Sequence, residues 1–275
     1  MKTLQTAVEY FQKLERPLTA LGIGSFGPID LNTASSTYGY ITSTPKAGWR
    51  DCDVVTPFKS LNVPISFNTD VNTAALGEFL HGHHGTDVHT LVYVTVGTGI
   101  GAGVVTNGHI LDGVLLHPEA GHILVRRHKA DEFEGVCPFH GDCLEGLTTA
   151  NSVAKRLGID IHDLKNVSDD DGVWDQAAYY LAQLCVNMTL ILSPHVIVLG
   201  GGLLQRRSLF PRIREHFTKL MNGYIRHEKV LTALDRYIVP SRFDAADSKT
   251  SPGCVGTLTH AQFEYNAKKS AAAKQ

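Results

Sequence analysis

The run Gly97-Thr98-Gly99-Ile100-Gly101-Ala102-Gly103 constrains this chain more than any other stretch. It follows six residues, 91–96, rich in β-branched side chains, which read as a strand. After the glycines, residues 100–106 resume as a strand and Asn107-Gly108 supplies a hairpin turn into residues 109–111. The result is an antiparallel meander. A dinucleotide fingerprint would need its glycines to open a helix, and here they open a second strand. Glycines in such a turn let backbone N–H groups approach an anion such as a phosphate. They also suit a tight turn packed against small residues.

The rest of the pattern alternates strands and helices. Residues 3–14 place Leu4, Val8, Phe11 and Leu14 at helical spacing, and Pro17 stops that helix. Strands are expected at 18–23, 63–67, 195–199 and 236–239. Helices are expected at 71–80, 173–192, 208–220 and 256–265, with a frayed Ala/Lys/Ser-rich tail over 266–275. The fold class is therefore α/β. A second glycine turn, Gly200-Gly201-Gly202, follows the strand ending at Leu199, so one ligand held between two layers or lobes is expected.

Four groups carry chemistry. Asp70 sits between a strand end and a helix start, with Thr69 as a plausible N-cap, where the helix terminus favours an ionised carboxylate. Such a carboxylate can take a proton from an attacking hydroxyl, although a lone Asp here is more often a cap. Cys137, His140 and Cys143, with His122 upstream, fit a closed tetrahedral zinc site of structural type. Glu119 and Glu145 flank those ligands, where a metal knot could aim both carboxylates at hydroxyls of a ligand, or either is a plain solvated loop acid. Gly200, Gly201 and Gly202 leave room for an adenine or ribose against the backbone, or form a plain helix-start turn.

Composition excludes several classes. Of 275 residues, 25 are basic and 27 acidic, so no basic excess marks a nucleic-acid partner. No apolar run approaches a membrane span. Five cysteines, an odd count, and charged residues through the first seventeen positions argue for a reduced, cytoplasmic protein.

From Ala20 onward the chain resembles the ROK family of repressors, uncharacterised frames and sugar kinases. The matching segments are Gly-Ile-Gly-Ser-Phe-Gly-Pro-Ile-Asp at 22–30, Tyr-Ile-Thr-Ser-Thr-Pro-Lys-Ala-Gly-Trp-Arg at 40–50, and Thr-Asp-Val-Asn-Thr-Ala-Ala-Leu-Gly-Glu at 69–78. They continue with the glycine run at 97–103, His-Pro-Glu-Ala-Gly-His at 117–122, the segment 137–146, and Val-Leu-Gly-Gly-Gly at 198–202. The 44–49 segment points to the fructokinase members. The resemblance implies an actin/hexokinase-like (ribonuclease H-like) two-lobed fold, its first lobe 1–88 joined by a helix near 257–267, its second lobe 89–256 holding the zinc loop. It implies Asp70 as base; Gly27, Thr69, Glu119, His122 and Glu145 at the sugar or its zinc scaffold; Gly97, Thr98 and Gly99 at phosphate; and Gly200, Gly201 and Gly202 at adenosine. ATP, magnesium and structural zinc are the implied cofactors, and a homodimer the expected assembly.

Family members open with Asp-x-Gly-Gly-Thr, which grips the β- and γ-phosphates, and this sequence contains no such motif. The resemblance thus implies a truncated first lobe and low activity. A sugar-binding or regulatory protein of the same family is the alternative. A repressor is disfavoured, with no room for a helix-turn-helix before Leu18. Residues 245–252 are polar where the family has a compact turn, and nothing in the sequence explains them.

Overall fold

The structure, a computed structural model, describes residues 2–44, 46–114, 117–243 and 250–272. Its centre is a five-stranded sheet in the order β7-β6-β5-β8-β9. Strand β5 (Thr90–Val96) pairs antiparallel with β6 (Ile100–Thr106) and parallel with β8 (Val196–Gly200); β7 (His109–Ile110) and β9 (Ile238–Pro240) are the edges. The expected meander is present, with Asn107 at φ 50° and Gly108 at φ 80° in its hairpin turn.

Alternation along β5 divides the core. Val92, Val94 and Val96 point to one face, packing with the long helix α5 (Gly172–Leu192) and with α6 (Leu209–Met221). Leu91 and Tyr93 point to the other face, against Ala74, Ala75 and Leu76 of helix α2 (Asp70–His81).

The first part of the chain forms a smaller unit. Helix α1 (Lys2–Gln12) buries Val8. Strand β1 (Leu21–Ser25) lies parallel to β4 (Ile65–Thr69) in register from Leu21↔Ile65 to Ser25↔Thr69. Leu21, Ile23 and Ile65 are covered by Val8 and Phe58, while Phe67 packs with Ile29, Ile41 and Val54. Ile41 belongs to a small hairpin of β2 (Tyr40–Ile41) and β3 (Cys52–Asp53), too short to leave a period-2 signal in the sequence.

Short helices α3 (Leu144–Thr148), α4 (Ala150–Leu157), α7 (Glu228–Leu231) and α8 (Leu234–Tyr237) complete the second part before the terminal helix α9 (Pro252–Ala272). Three expectations are corrected. β1 starts three residues later than expected, because pairing with β4, begun by the bond from Leu21 N to the Pro64 carbonyl (2.9 Å), fixes it. Arg236 and Tyr237 close the helical turn α8, so the last strand begins at Ile238. The tail over 266–272 is helical, as its Ala and Lys content favours. Of the 245–252 segment, residues 245–249 lie outside the described residues, and Pro252 opens α9, a position that suits its missing N–H.

Helix α2 is gripped from two sides by glycines. On the sheet side, a Cβ at Gly101 would lie 2.8 Å from Val71 Cγ1 and one at Gly103 2.9 Å from Ala75 Cβ. On the α9 side, Gly77 faces Gly256, where a Cβ would run into the Thr73 carbonyl oxygen. At its far end the buried Glu78 carboxylate accepts from Ser241 Oγ (2.6 Å) and Arg242 N (3.1 Å) and pairs with His84 Nε2 (2.6 Å). Backbone-to-backbone contact cannot be relieved by a rotamer change. We therefore expect Gly256→Ala to cost at least about 1–3 kcal/mol. Urea denaturation should show a lower midpoint at unchanged slope, and an unchanged midpoint would contradict the account.

Candidate active site

The start of α2 is built by local hydrogen bonds. Thr69 is the N-cap, and its Oγ1 accepts from Asn72 N at 3.0 Å. Asn68 Oδ1 accepts from Thr69 N and from Asn72 Nδ2, both at 2.8 Å. Thr69 is buried, with its hydroxyl oxygen committed to the cap, so its contribution is to hold the turn. Asp70 is the first helical residue, and its Oδ1 accepts from Val71 N at 2.9 Å.

The Asp70 side chain is open to solvent on one side, yet surrounding protein desolvates it enough to raise its carboxyl above the ordinary value. The Val71 N–H, then Lys46 and His117, oppose that rise. Lys46 is held in place by aromatic contacts: its Nζ lies 3.5 Å from the Phe26 ring centre, and Phe26 meets Trp49 edge-to-face at 5.7 Å. His117 Nε2 bonds Glu119 Oε1 at 2.9 Å. Gly27 comes close to the same imidazole, with its Cβ direction 3.3 Å from His117 Nε2. Asp70, Lys46, Gly27, His117 and Glu119 thus converge. Nothing in the sequence pattern singles out Lys46 or His117, although both lie inside the segments 40–50 and 117–122 that carry the resemblance.

The glycine run divides. Gly97, Thr98 and Gly99 form the turn, with Gly97 N donating to Gly99 O (2.9 Å) and Ala150 N donating to Gly97 O (3.0 Å). Gly101 and Gly103 belong to β6 and admit α2. Gly200 ends β8, paired with Thr95, so the second glycine turn stands beside the first. Gly201, at φ 92°, sits against the Val96 backbone, where a Cβ would come within 2.6 Å of the carbonyl oxygen. Open space flanks both Gly97 and Gly202.

Glu145 reaches this turn from α3: its Oε2 accepts from Ile100 N at 2.8 Å. Cys143 immediately precedes α3, and Ser152 Oγ donates to the Glu145 carbonyl at 3.0 Å. Beneath, Arg156 bonds the Leu147 carbonyl (3.0 Å) and forks onto Asp131, which also accepts from Tyr180 OH (2.6 Å). Asp131 is held below the ordinary carboxylate value by those bonds, which outweigh its burial. This network has no signature in sequence, since its members lie up to 49 positions apart.

His122, Cys137, His140 and Cys143 come together, with all four ligand atoms within 4.8 Å of one another. His122 Nδ1 is 3.7 Å from Cys137 Sγ and 3.6 Å from Cys143 Sγ, and His140 Nδ1 is 3.7 Å from Cys137 Sγ. A tetrahedral zinc with bonds of about 2.3 Å to sulfur and about 2.0–2.1 Å to nitrogen separates those atoms by roughly 3.6 Å. Burial, reinforced by the neighbouring Cys137, pushes the Cys143 thiol up to about 11. His122 N also donates to the Glu119 carbonyl at 3.0 Å, so the cluster adjoins both glutamates.

No helix among the described residues is long and apolar enough to cross a membrane. The chain is 45% identical over 226 residues to a fructokinase of Lactococcus lactis subsp. cremoris, covering 82% of this chain and 74% of that protein. It is 44% identical over 242 residues to a fructokinase of Pediococcus pentosaceus, covering 88% and 80%. The fold matches a ROK family glucokinase from Streptomyces griseus, solved with glucose and AMPPNP, at a TM-score of 0.70 and 18% identity, covering 95% of this chain and 87% of that one. The model of the ROK family matches residues 1–259, and the chain belongs to that family.

Proposed function

We propose that this chain transfers the γ-phosphoryl group of ATP to fructose, giving fructose 6-phosphate and ADP. The observation that carries this reading is the solvent-facing Asp70 carboxylate at the head of α2, near His117, which bonds Glu119, in a chain 45% identical to a fructokinase. As the sugar 6-hydroxyl oxygen attacks phosphorus, Asp70 accepts its proton, and the bond to the β–γ bridging oxygen breaks with ADP as leaving group. A carboxyl raised above the ordinary value by desolvation is a stronger base, and the Val71 N–H and the nearby Lys46 charge oppose that rise. Glu119 and Glu145 each have one oxygen engaged by the protein and one left to accept a sugar hydroxyl. The turn at 97–99 faces the phosphates and the turn at 200–202 the adenosine, with magnesium arriving as part of the MgATP substrate.

His122, Cys137, His140 and Cys143 fit a zinc ion by donor type and spacing. Four protein ligands close the site, so the ion would brace the loop between Glu119 and α3 and supply no reacting group.

The reaction is tested by phosphorus NMR of the chain with MgATP and fructose. Fructose 6-phosphate should appear in step with ADP, and the rate should fall as pH drops through the raised Asp70 value, where the base is protonated. Fructose binding without any sugar phosphate would leave the sugar-binding alternative. The metal is tested separately. Elemental analysis should give about one zinc per chain, and Cys143→Ala should lose it together with fructose affinity. A folded, zinc-free protein that binds fructose normally would remove the brace.

A further inference from the structure

One residue of the glycine turn faces the sugar side of the site. We infer that Gly99 is a positioning residue for Glu145, keeping clear the space in which that carboxylate bonds the turn and serves the sugar. A Cβ built at Gly99 would lie 2.9 Å from Glu145 Oε2 and 3.7 Å from its Cδ. That Oε2 is the atom accepting from Ile100 N, at 2.8 Å. Ile100 is buried, so its N–H has no ready water to replace the carboxylate. The bond is charge-assisted, and it fixes which way the Glu145 carboxylate faces. A methyl group at position 99 pushes Oε2 off Ile100 N and turns the other oxygen away from the sugar.

Gly97, two residues earlier, differs in kind. Nothing lies within 4 Å of its Cβ direction. Neither glycine has a φ in the left-handed region, so alanine fits the backbone at both positions. Both glycines belong to the turn that faces the phosphates, but only Gly99 also seats a carboxylate of the sugar site, while Gly97 borders open space. This rests on the reading above in which Glu145 binds the sugar.

The test compares Gly99→Ala with Gly97→Ala in the full chain. Losing a hydrogen bond to a charged group corresponds to about 10- to 100-fold in affinity. Gly99→Ala should raise the fructose Kd, titrated without nucleotide, by that factor, and the fructose KM with it. Gly97→Ala should raise the ATP KM and leave fructose binding unchanged. Adding Gly99→Ala to Glu145→Ala should weaken fructose binding no further, because one mechanism has already been removed. The Ile100 amide supplies a readout independent of sugar: its proton resonance should move upfield, and its hydrogen exchange accelerate, in both Gly99→Ala and Glu145→Ala. If the wild type binds no fructose but the amide responds, the functional reading fails and the positioning stands. If the Ile100 amide is unmoved in Gly99→Ala, or only the ATP KM changes, the proposal is overturned.

Discussion

Helix α2 sits where two surfaces without side chains press on it, and the site depends on that fit. Gly101 and Gly103 bring β6 against Val71 and Ala75, while Gly77 and Gly256 bring α9 against the opposite side. Contacts between backbones leave little freedom to slide or rotate, because no side chain is present to repack. The helix therefore presents its first residue, Asp70, at a fixed place relative to the strand that continues from the 97–99 turn. Glu78, buried at the other end and bonded to Ser241, Arg242 and His84, secures the same helix to the segment after β9.

The second organising element is the loop from His117 to α3, which carries Glu119 near its start and leads into Glu145 at its end. His122 N anchors the Glu119 carbonyl, Cys143 leads into α3, and the Asp131–Arg156–Tyr180 network holds that helix from below. Buried charge is tolerated there because each Asp131 oxygen has partners. The contrast with Asp70 is instructive. Asp131 is surrounded by donors and lies below the ordinary carboxylate value, as suits a structural acid. Asp70 is desolvated by the surrounding protein, which its backbone donors do not offset, and lies above it, as suits a base.

Much of this was legible in the sequence, for physical reasons that can be named. The meander showed because β-branched runs and Asn107-Gly108 are local signals, and the Cys/His group showed because three of its four ligands lie within seven residues. The strand-to-helix junction marked Asp70 and its cap. Other features were not legible. Gly101 and Gly103 look the same in sequence as Gly97 and Gly99, and only the fold shows that the first pair admits a helix. Lys46 owes its place to Phe26, twenty positions away, and β1 owes its start to Ile65, 44 positions on. Long-range pairing of this kind leaves no periodic trace.

The central claim is that Asp70 acts as a base rather than as a helix cap, and Asp70→Asn separates the two. An amide can still accept from Val71 N and bond a sugar hydroxyl, but it cannot take the proton. Single-turnover phosphoryl transfer from MgATP to bound fructose should fall by about a thousandfold or more, as loss of several kcal/mol of transition-state stabilisation requires. The fructose Kd and the thermal midpoint should stay close to those of the wild type. A variant that transfers phosphoryl at the wild-type rate would contradict the account and place the base elsewhere.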